Sequence, residues 1–307
     1  KACPEHANIL RINGEEVSIV TVDVRDLKFT SEIGYGDNGH VSKYTFKGTL
    51  MAVKEMIPPR GRRDNMKQYI TDLVEISKTS DCPNIVHIFG CLMTEEKVMV
   101  CMEVAAICLD RVLRRTENAP VPEEIIGKIA MSVLSTLEYL MDKHNLTHWS
   151  VRPSNILIDW NGTVRLCDIG VSSRLFDQKV RSRMGHTIPY MAPERLDPNA
   201  SPDHDIRSYV WSLGIIMVEL ARGKYPYAHL RSEFDIFSEI MKGEPPVIKY
   251  DEGFSEEFVD FVSLMLQKEI DRRPTYKTLL KHPVIVRSKS EDTDVADWLA
   301  NIMQMDD

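Results

Sequence analysis

Three glycines near the start of the chain have the spacing G-x-G-x-x-G, which suits a backbone that approaches phosphate groups. The segment from Ile33 to Val41 reads IGYGDNGHV and places the glycines at Gly34, Gly36 and Gly39. Because glycine has no Cβ, the amides of such a segment can come close to phosphate oxygens. A glycine-rich hairpin turn would use the same residues. The segment that follows is strand-like rather than helical, which argues against a dinucleotide-binding βαβ unit.

A single lysine ends the apolar segment Met51-Ala52-Val53-Lys54 that follows these glycines. A lysine on an edge strand ordinarily points into solvent, and for Lys54 alone this alternative stays open. After a glycine-rich loop, however, such a lysine can hold the α and β phosphates of a nucleotide. It would then need a carboxylate on the next helix, for which Asp72 is the candidate and Glu75 the alternative.

Three further segments carry residue types that could bind a metal and transfer a phosphoryl group. HWSVRPSN at 148–155, LCDIG at 166–170 and MAPE at 191–194 resemble, in order and spacing, the protein-kinase signatures H-R-D-x-K-x-x-N, D-F-G and A-P-E. The segments VRPSNILI, PYMAPERL, WSLGIIMVEL, RRPTY and TDVADWL are similar to the MAP kinase kinase family, from about Val24 to the C-terminus. The resemblance implies a bilobal protein-kinase fold, ATP held with Mg²⁺ between two lobes, and a MAP kinase as protein partner.

The resemblance also implies a role for each matching position. Lys54 paired with Asp72 would hold the phosphates, and Asn155 with Asp168 would ligate Mg²⁺. Met102 stands at the gatekeeper position. The other nucleotide-binding positions are Ile33, Gly34, Gly36, Gly39, Val41 and Ala52, with the backbone from Glu103 to Ala105 as the hinge that meets the adenine.

Ser150 occupies the position of the catalytic aspartate. In the family that aspartate accepts the proton of the substrate hydroxyl and orients its oxygen at the γ-phosphate. A serine hydroxyl of ordinary pKa cannot take up this proton, and loss of a general base costs about 10²- to 10⁴-fold in rate. Arg152 replaces the family's lysine and keeps its charge with a different donor geometry. The alternative is that Ser150 is tolerated, because phosphoryl transfer depends mostly on positioning and electrostatics.

Other positions depart from the family in the same direction. Trp149 stands where an arginine would pair with a phosphorylated activation loop, and an indole cannot make that charge-assisted bond. The family's Ser-x-x-x-Thr phosphorylation pair aligns with Gln178 and Ser182, and the neutral Gln178 does not imitate phosphate. Tyr209 replaces an aspartate that hydrogen-bonds the catalytic-loop backbone. Ile169 stands at the phenylalanine position of D-F-G. We expect this substitution to have little effect, since isoleucine can fill the same apolar site.

The elements that must position these residues change in character after the first third of the chain. Short strand-like segments are predicted at 26–34, 40–48, 49–56, 84–92 and 97–104, with one helix-like stretch at about 64–78. From Pro122 to His144 the apolar residues recur on one helical face, and later helices are predicted at about 208–222, 233–242, 255–267, 276–281 and 293–303. The predicted fold is therefore α+β, with an N-terminal extension at 1–23, a small β-rich N-lobe at 24–103, a larger helical C-lobe at 104–290 and a docking-like helix at 291–307.

The last segment, EDTDVADWL at 291–299, resembles the family's docking segment for upstream kinases. An acidic start followed by apolar residues at helical spacing suits an amphipathic helix. The apolar residues are Val295, Trp298, Leu299 and Ile302. Such a helix could instead pack on its own lobe, and we expect it to do both. Within that lobe the resemblance pairs Arg273 with Glu194 as a structural brace.

Composition limits the class of partner. The chain has 307 residues, of which 46 are acidic and 38 basic, for a formal net charge of -8. This balance argues against a broad nucleic-acid or anionic-membrane surface. No apolar run of about 18 residues could span a bilayer, and no signal pattern opens the chain. The six cysteines lack metal-ligand spacing, which is typical of reduced thiols in the cytosol, so a cytoplasmic protein is expected.

Two function classes follow from these residues. The first is an ATP-binding MAP kinase kinase-like protein, or pseudokinase, with impaired or absent phosphoryl transfer, which acts in a MAP kinase cascade by binding an upstream MAP kinase kinase kinase or a MAP kinase. The second is an active dual-specificity Ser/Thr/Tyr protein kinase that phosphorylates a MAP kinase. A scaffold that binds no nucleotide is a third possibility. The sequence favours the first, because several positions tied to transfer have changed together.

Overall fold

The computed structural model describes residues 9–13, 17–36, 39–57, 82–94, 96–145, 150–167, 185–197, 199 and 206–304. These residues fall into two compact units, with the division after Ala105. The first unit is built on a β-sheet and the second is mainly helical. The predicted α+β class is confirmed.

The sheet of the first unit has seven antiparallel strands in the described residues, in the order β2-β1-β6-β7-β5-β4-β3. The strands are β1 Ile9–Asn13, β2 Val17–Thr21, β3 Lys28–Gly36, β4 Gly39–Phe46, β5 Thr49–Met56, β6 Ile88–Met93 and β7 Val98–Met102. The five strands predicted from β-rich segments are present as β3 to β7. Strands β1 and β2 were not predicted, and the helix expected at about 64–78 lies outside the described residues.

The two faces of this sheet differ in what they carry. Met51 and Val53 of β5 belong to an apolar cluster on one face, together with Met99 and Cys101 of β7. Because successive side chains alternate between faces, the residues between them point to the opposite face. Register pairs these opposite-face residues across strands as Val41 with Lys54, Lys54 with Val100, and Ala52 with Met102. Four of the predicted nucleotide-binding residues therefore share one face.

The second unit is organised around long helices and a small three-stranded sheet. The helices are α1 Leu109–Arg115, α2 Glu123–His144, α3 Pro193–Leu196, α4 Arg207–Arg222, α5 Glu233–Lys242, α6 Glu256–Met265, α7 Tyr276–Leu279, α8 Pro283–Ser290 and α9 Val295–Met303, and the strands are β8 Ile107–Cys108, β9 Ile156–Ile158 and β10 Val164–Leu166. The predicted apolar face of α2 is buried at every position. Helix α4 is buried from Ser208 to Ala221. Within the described chain, no helix has the length and apolar character needed to cross a membrane.

A buried ion pair braces the helical unit. The Arg273 guanidinium is 1% exposed and donates to Glu194 through Nη1 at 2.7 Å and Nη2 at 3.1 Å. It also donates to the carbonyls of Arg207 and Gln267. The pairing expected between Arg273 and Glu194 is confirmed. The arginine ties the segment before α7 to both α3 and the start of α4.

Removing Arg273 should destabilise this unit strongly, because the half-buried Glu194 carboxylate would lose its cation. We expect Arg273→Met to cost about 3 to 5 kcal/mol in the free energy of unfolding. The neighbouring Arg272, which pairs with Glu269 on the surface, is the matched control, and Arg272→Met should change stability by at most about 0.5 kcal/mol. Urea unfolding followed by circular dichroism measures both. Equal effects of the two substitutions would contradict the bracing role.

Candidate active site

The glycine-rich segment lies on the paired strands β3 and β4, where Gly36 faces Gly39 and Gly34 faces Val41 in the register. A Cβ on Gly39 would lie 2.0 Å from the carbonyl oxygen of Glu55, whereas a Cβ on Gly34 would meet no atom within 4 Å. Position 39 therefore requires a glycine, because the backbone of β5 lies too close for any side chain. Gly34 leaves open space beside its strand, which fits the approach of a phosphate group.

Lys54 lies in the interior of the sheet. Strand β5 runs between β4 and β7, and the Lys54 side chain is only 3% exposed. The alternative that Lys54 points into solvent from an edge strand is therefore wrong. A buried ammonium requires polar partners, in agreement with a role in holding phosphate. Its two candidate carboxylate partners, Asp72 and Glu75, lie outside the described residues.

The segment after β7 is held by two hydrogen bonds to one residue. The Glu103 amide donates to the His87 carbonyl at 2.9 Å, and the His87 amide donates to the Glu103 carboxylate at 2.6 Å. Met102, the predicted gatekeeper, precedes this clamp and is buried. The clamp uses the amide and the side chain of Glu103. The backbone from Glu103 to Ala105 is the segment predicted to meet an adenine.

The loop that carries Ser150 is closed by Asn155. The Asn155 side-chain amide donates to the Ser150 carbonyl at 2.8 Å, and its backbone amide donates to the Arg152 carbonyl at 3.0 Å. Residues Pro153–Asn155 form a 3₁₀ turn that leads into β9. The loop therefore keeps a defined shape although a serine occupies its centre.

Asn155 also touches the start of the segment that contains Asp168. The Cys167 amide donates to the Asn155 carbonyl at 3.1 Å, and the Cys167 thiol contacts the Asn155 Oδ1 at 3.8 Å. Pairing of β9 with β10 produces this contact, since Ile156 faces Leu166. An amide oxygen is a suitable ligand for Mg²⁺. Asp168, the second predicted ligand, lies outside the described residues, as do Trp149, Gln178 and Ser182.

A buried carboxylate near the loop was missed by the sequence analysis. The Tyr190 hydroxyl donates to the Glu219 carboxylate at 2.7 Å, and the Ser212 hydroxyl donates to the Tyr190 carbonyl at 2.7 Å. Ser150 and Arg152 line a small indentation together with Tyr190 and Ser212. A single acidic residue in the otherwise apolar run of α4 was the available signal for Glu219.

Burial raises the pKa of Glu219 from 4.5 to about 7, although the Tyr190 hydrogen bond and the positive charge of Arg152 act in the opposite direction. The carboxyl thus loses its proton close to neutral pH. Once ionised, the carboxylate interacts electrostatically with the positive charge of Arg152 in the Ser150 loop.

Tyr209 supplies an aromatic ring where the resemblance expects an anionic acceptor. The ring is fully buried, and the Arg195 guanidinium lies 5.3 Å from its centroid. Among the residues that the structure describes, the Tyr209 hydroxyl has no hydrogen-bond partner. Tyr209 therefore packs against a cation and offers no carboxylate to a loop backbone.

The Glu219 pKa predicts a pH dependence of stability. Between its ordinary pKa of 4.5 and its folded pKa of about 7, the unfolded chain binds fewer protons at this group than the folded chain, so the contribution to stability is lost as pH rises through this window. Glu219→Gln keeps an acceptor for Tyr190 and does not titrate. We expect the free energy of unfolding of the native protein to fall by about 3 kcal/mol relative to that of this variant as the pH rises through the window. Urea unfolding at a series of pH values measures this difference. A difference in the free energy of unfolding that stays flat across this window would contradict the assignment.

Comparison with known proteins agrees with this geometry. Residues 27–285 match the family model of the protein kinase domain. The chain is 42% identical over 303 residues to dual specificity mitogen-activated protein kinase kinase mek-1 of Caenorhabditis elegans, covering 99% of this chain and 85% of that protein. It is 40% identical over 285 residues to dual specificity mitogen-activated protein kinase kinase 7 of Homo sapiens, covering 92% of this chain and 68% of the relative. With hemipterous of Drosophila melanogaster the identity is 40% over 306 residues, which is 98% of this chain but 26% of that longer protein. The chain belongs to the protein kinases and, within them, to the MAP kinase kinase family.

Proposed function

We propose that this chain is a MAP kinase kinase relative that binds ATP with Mg²⁺, transfers phosphate slowly or not at all, and acts in a MAP kinase cascade by contact with other kinases. The observation that carries the proposal is Ser150 at the position of the proton-accepting aspartate. The loop around Ser150 is still closed by the Asn155 hydrogen bond. The chemistry is thus impaired at one group, while the scaffold of the loop is retained.

The retained residues support nucleotide binding. Gly34 leaves open space, and Val41, Ala52 and Met102 form an apolar strip on the face that carries Lys54. These residues fit the apolar wall and single cation that an adenine nucleotide requires. The predicted nucleotide-binding residues also include Ile33 and Gly36 on β3 and Gly39 on β4. When bound, ATP would supply the phosphoryl group, and Asn155 and Asp168 would hold its Mg²⁺.

The missing group limits proton transfer. The Ser150 hydroxyl has one proton of its own and ordinary acidity, so it cannot accept the substrate proton as a carboxylate does. A loss of about 10²- to 10⁴-fold in rate corresponds to about 3 to 5 kcal/mol in the barrier. Arg152 keeps a positive charge in the loop and could still orient a phosphate. Slow residual transfer is therefore compatible with the proposal.

The second candidate is an active dual-specificity kinase acting on a MAP kinase. The names of its relatives, which are dual specificity mitogen-activated protein kinase kinases, favour it, as does the cation kept at Arg152. Both candidates use the same binding residues, so only transfer distinguishes them. The expected cytoplasmic location, and the absence of nucleic-acid and membrane partners, stay predictions.

Nucleotide binding and phosphate transfer should be measured on one preparation. We expect ATP with Mg²⁺ to raise the melting temperature of the chain. Lys54→Met should remove this rise, while Lys28→Met, at an exposed position of the same sheet, should leave it intact. Transfer to a MAP kinase should be absent, or at least about 10²-fold slower than in Ser150→Asp. Transfer that disappears in Asp168→Ala and does not rise in Ser150→Asp would instead establish the active kinase, and no thermal shift at all would favour the scaffold. A gain of transfer in Ser150→Asp would identify the missing base as the limiting group.

One face of the C-terminal helix α9 packs against the core of its own unit. Val295, Leu299 and Ile302 are buried in the main core, and Trp298 packs against it. A partner docking here would therefore meet the exposed acidic residues Asp292, Asp294 and Asp297. We propose that an upstream kinase binds this acidic edge.

Charge reversal at this edge tests the proposal without opening the core. Asp292→Lys combined with Asp297→Lys should weaken binding of a MAP kinase kinase kinase catalytic domain at least about 10-fold, since each charge-assisted contact contributes about 1.5 to 3 kcal/mol. The melting temperature should stay close to that of the native chain. Asp251→Lys combined with Glu256→Lys, at exposed positions elsewhere in the unit, is the control. Unchanged affinity in interferometry would rule out docking through the acidic edge.

A further inference from the structure

A cavity of about 540 Å³ opens within the helical unit, at residues that the proposed function does not use. It lies where the start of α2, the loop before α6 and the end of α8 meet. Its volume falls in the range of about 300 to 1,000 Å³ that is usual for ligand sites. The residues that line it include Val121, Glu124, Phe254, Val284, Arg287 and Glu291. We call it the α2/α8 cavity.

The inner wall of the α2/α8 cavity is apolar and firmly supported. Val121 and Val284 are buried members of the main core. Phe254 packs on Phe258 with ring centroids 5.0 Å apart. Pro120 and Pro122 stand at the entrance and are exposed. The wall therefore offers rigid apolar surface to an aliphatic or aromatic group.

Arg287 is the lining cation, and its charge is already shared. It donates to the Glu123 carboxylate, and it lies 3.9 Å from Glu257 and 3.7 Å from Glu291 in looser ion pairs. Three carboxylates thus surround one guanidinium. An incoming anion would have to displace one of them, so Arg287 does not make this an anion site.

Glu123 is satisfied within the fold. Its carboxylate accepts from the Ser255 amide at 2.8 Å and the Ser255 hydroxyl at 2.5 Å, in addition to Arg287. This leaves Glu124 and Glu291 as exposed acids on the lining. Lys128 donates to the carbonyl of Glu291 at 2.8 Å and offsets only part of the negative charge. The rim of the cavity is therefore acidic and the wall apolar.

We propose that the α2/α8 cavity binds a basic side chain, arginine or lysine, that sits beside an aromatic or aliphatic residue on a partner peptide. The apolar neighbour would pack on Val121, Phe254 and Val284, while the cation would pair with Glu124 and Glu291. Charge complementarity favours a cationic occupant, because four carboxylates lie on or beside the lining and two cations, Arg287 and Lys128, offset them only in part. The inference is independent of ATP binding and of transfer.

The test uses the protected dipeptide acetyl-Phe-Arg-amide on the full chain. Its matched control is acetyl-Phe-citrulline-amide, which has nearly the same shape without the charge. Methyl-labelled valines report the place of binding, since Val121 and Val284 lie in the cavity wall and Val98 and Val100 lie in the sheet of the other unit. We expect titration to shift the first pair of methyl signals and leave the second pair unchanged. The citrulline peptide should bind at least about 10-fold more weakly, as expected for loss of a charge-assisted pair.

Charge reversals on the rim of the cavity test the same site. Glu124→Lys and Glu291→Lys, both at exposed positions, should each weaken the arginine peptide about 10-fold, whereas Glu233→Lys on α5 should have no effect. Lys54→Met should not alter the affinity, which separates this site from nucleotide binding. Equal affinity for the two peptides, unmoved Val121 and Val284 signals, or indifference to both charge reversals would each overturn the proposal.

Discussion

The helical unit depends on the hydrogen bonds of three polar side chains, Ser208, Ser212 and Glu219, which lie on a helix buried on every side. Helix α4 brings hydroxyl groups and a carboxylate into an apolar core, where an unpaired polar group costs about 1 to 3 kcal/mol. Its partners come from the loops that carry the site. Ser208 donates to Glu194 at 2.7 Å, Ser212 donates to the Tyr190 carbonyl, and Glu219 accepts from the Tyr190 hydroxyl. Satisfying α4 therefore fixes the segment from Tyr190 to Glu194.

This constraint separates the scaffold of the site from its chemistry. The loop at Ser150 is shaped by two hydrogen bonds of Asn155, from its side-chain amide to the Ser150 carbonyl and from its backbone amide to the Arg152 carbonyl. Both acceptors are backbone carbonyls, which every residue type supplies, so these bonds do not require an aspartate at residue 150. Tyr209 differs from Ser150 in this respect, because its ring is buried in α4 and packs against Arg195. Ser150 and Tyr209 thus act through different contacts, and we count them as two separate supports for the proposal of slow transfer.

Much of the fold could be predicted from local pattern, because β-rich composition between turn residues and apolar helical spacing are local properties. Strands β3 to β7 and the apolar face of α2 were found in this way. Strands β1 and β2 were missed. They pair locally with each other, but they join the sheet only through the pairing of β1 with β6, which lies far away in sequence. Strand order explains the incorrect alternative for Lys54, because β7 lies beside β5 only after the chain has passed through β6.

In the site, too, features encoded by neighbouring residues could be predicted and contacts between distant residues could not. Residue types identified Lys54, Ser150 and Asn155 through their motifs. The hydrogen bond from Tyr190 to Glu219 joins residues 29 positions apart. The sequence around either residue does not identify the other as its partner. A shifted pKa arises from burial and from such distant charges, so it could not be predicted before the fold was known.

A nucleotide can matter to a protein that does not consume it. Ligand bound only by the folded state adds about 2.7 kcal/mol of stability at one hundred times its dissociation constant. A ligand shifts a conformational equilibrium only by its difference in affinity for the two conformations. Lys54 is one of the residues through which we propose that the chain binds a nucleotide, so the nucleotide would favour the conformation in which this lysine can meet its phosphates. If transfer is as slow as we propose, such a bias would persist, because the nucleotide would stay intact.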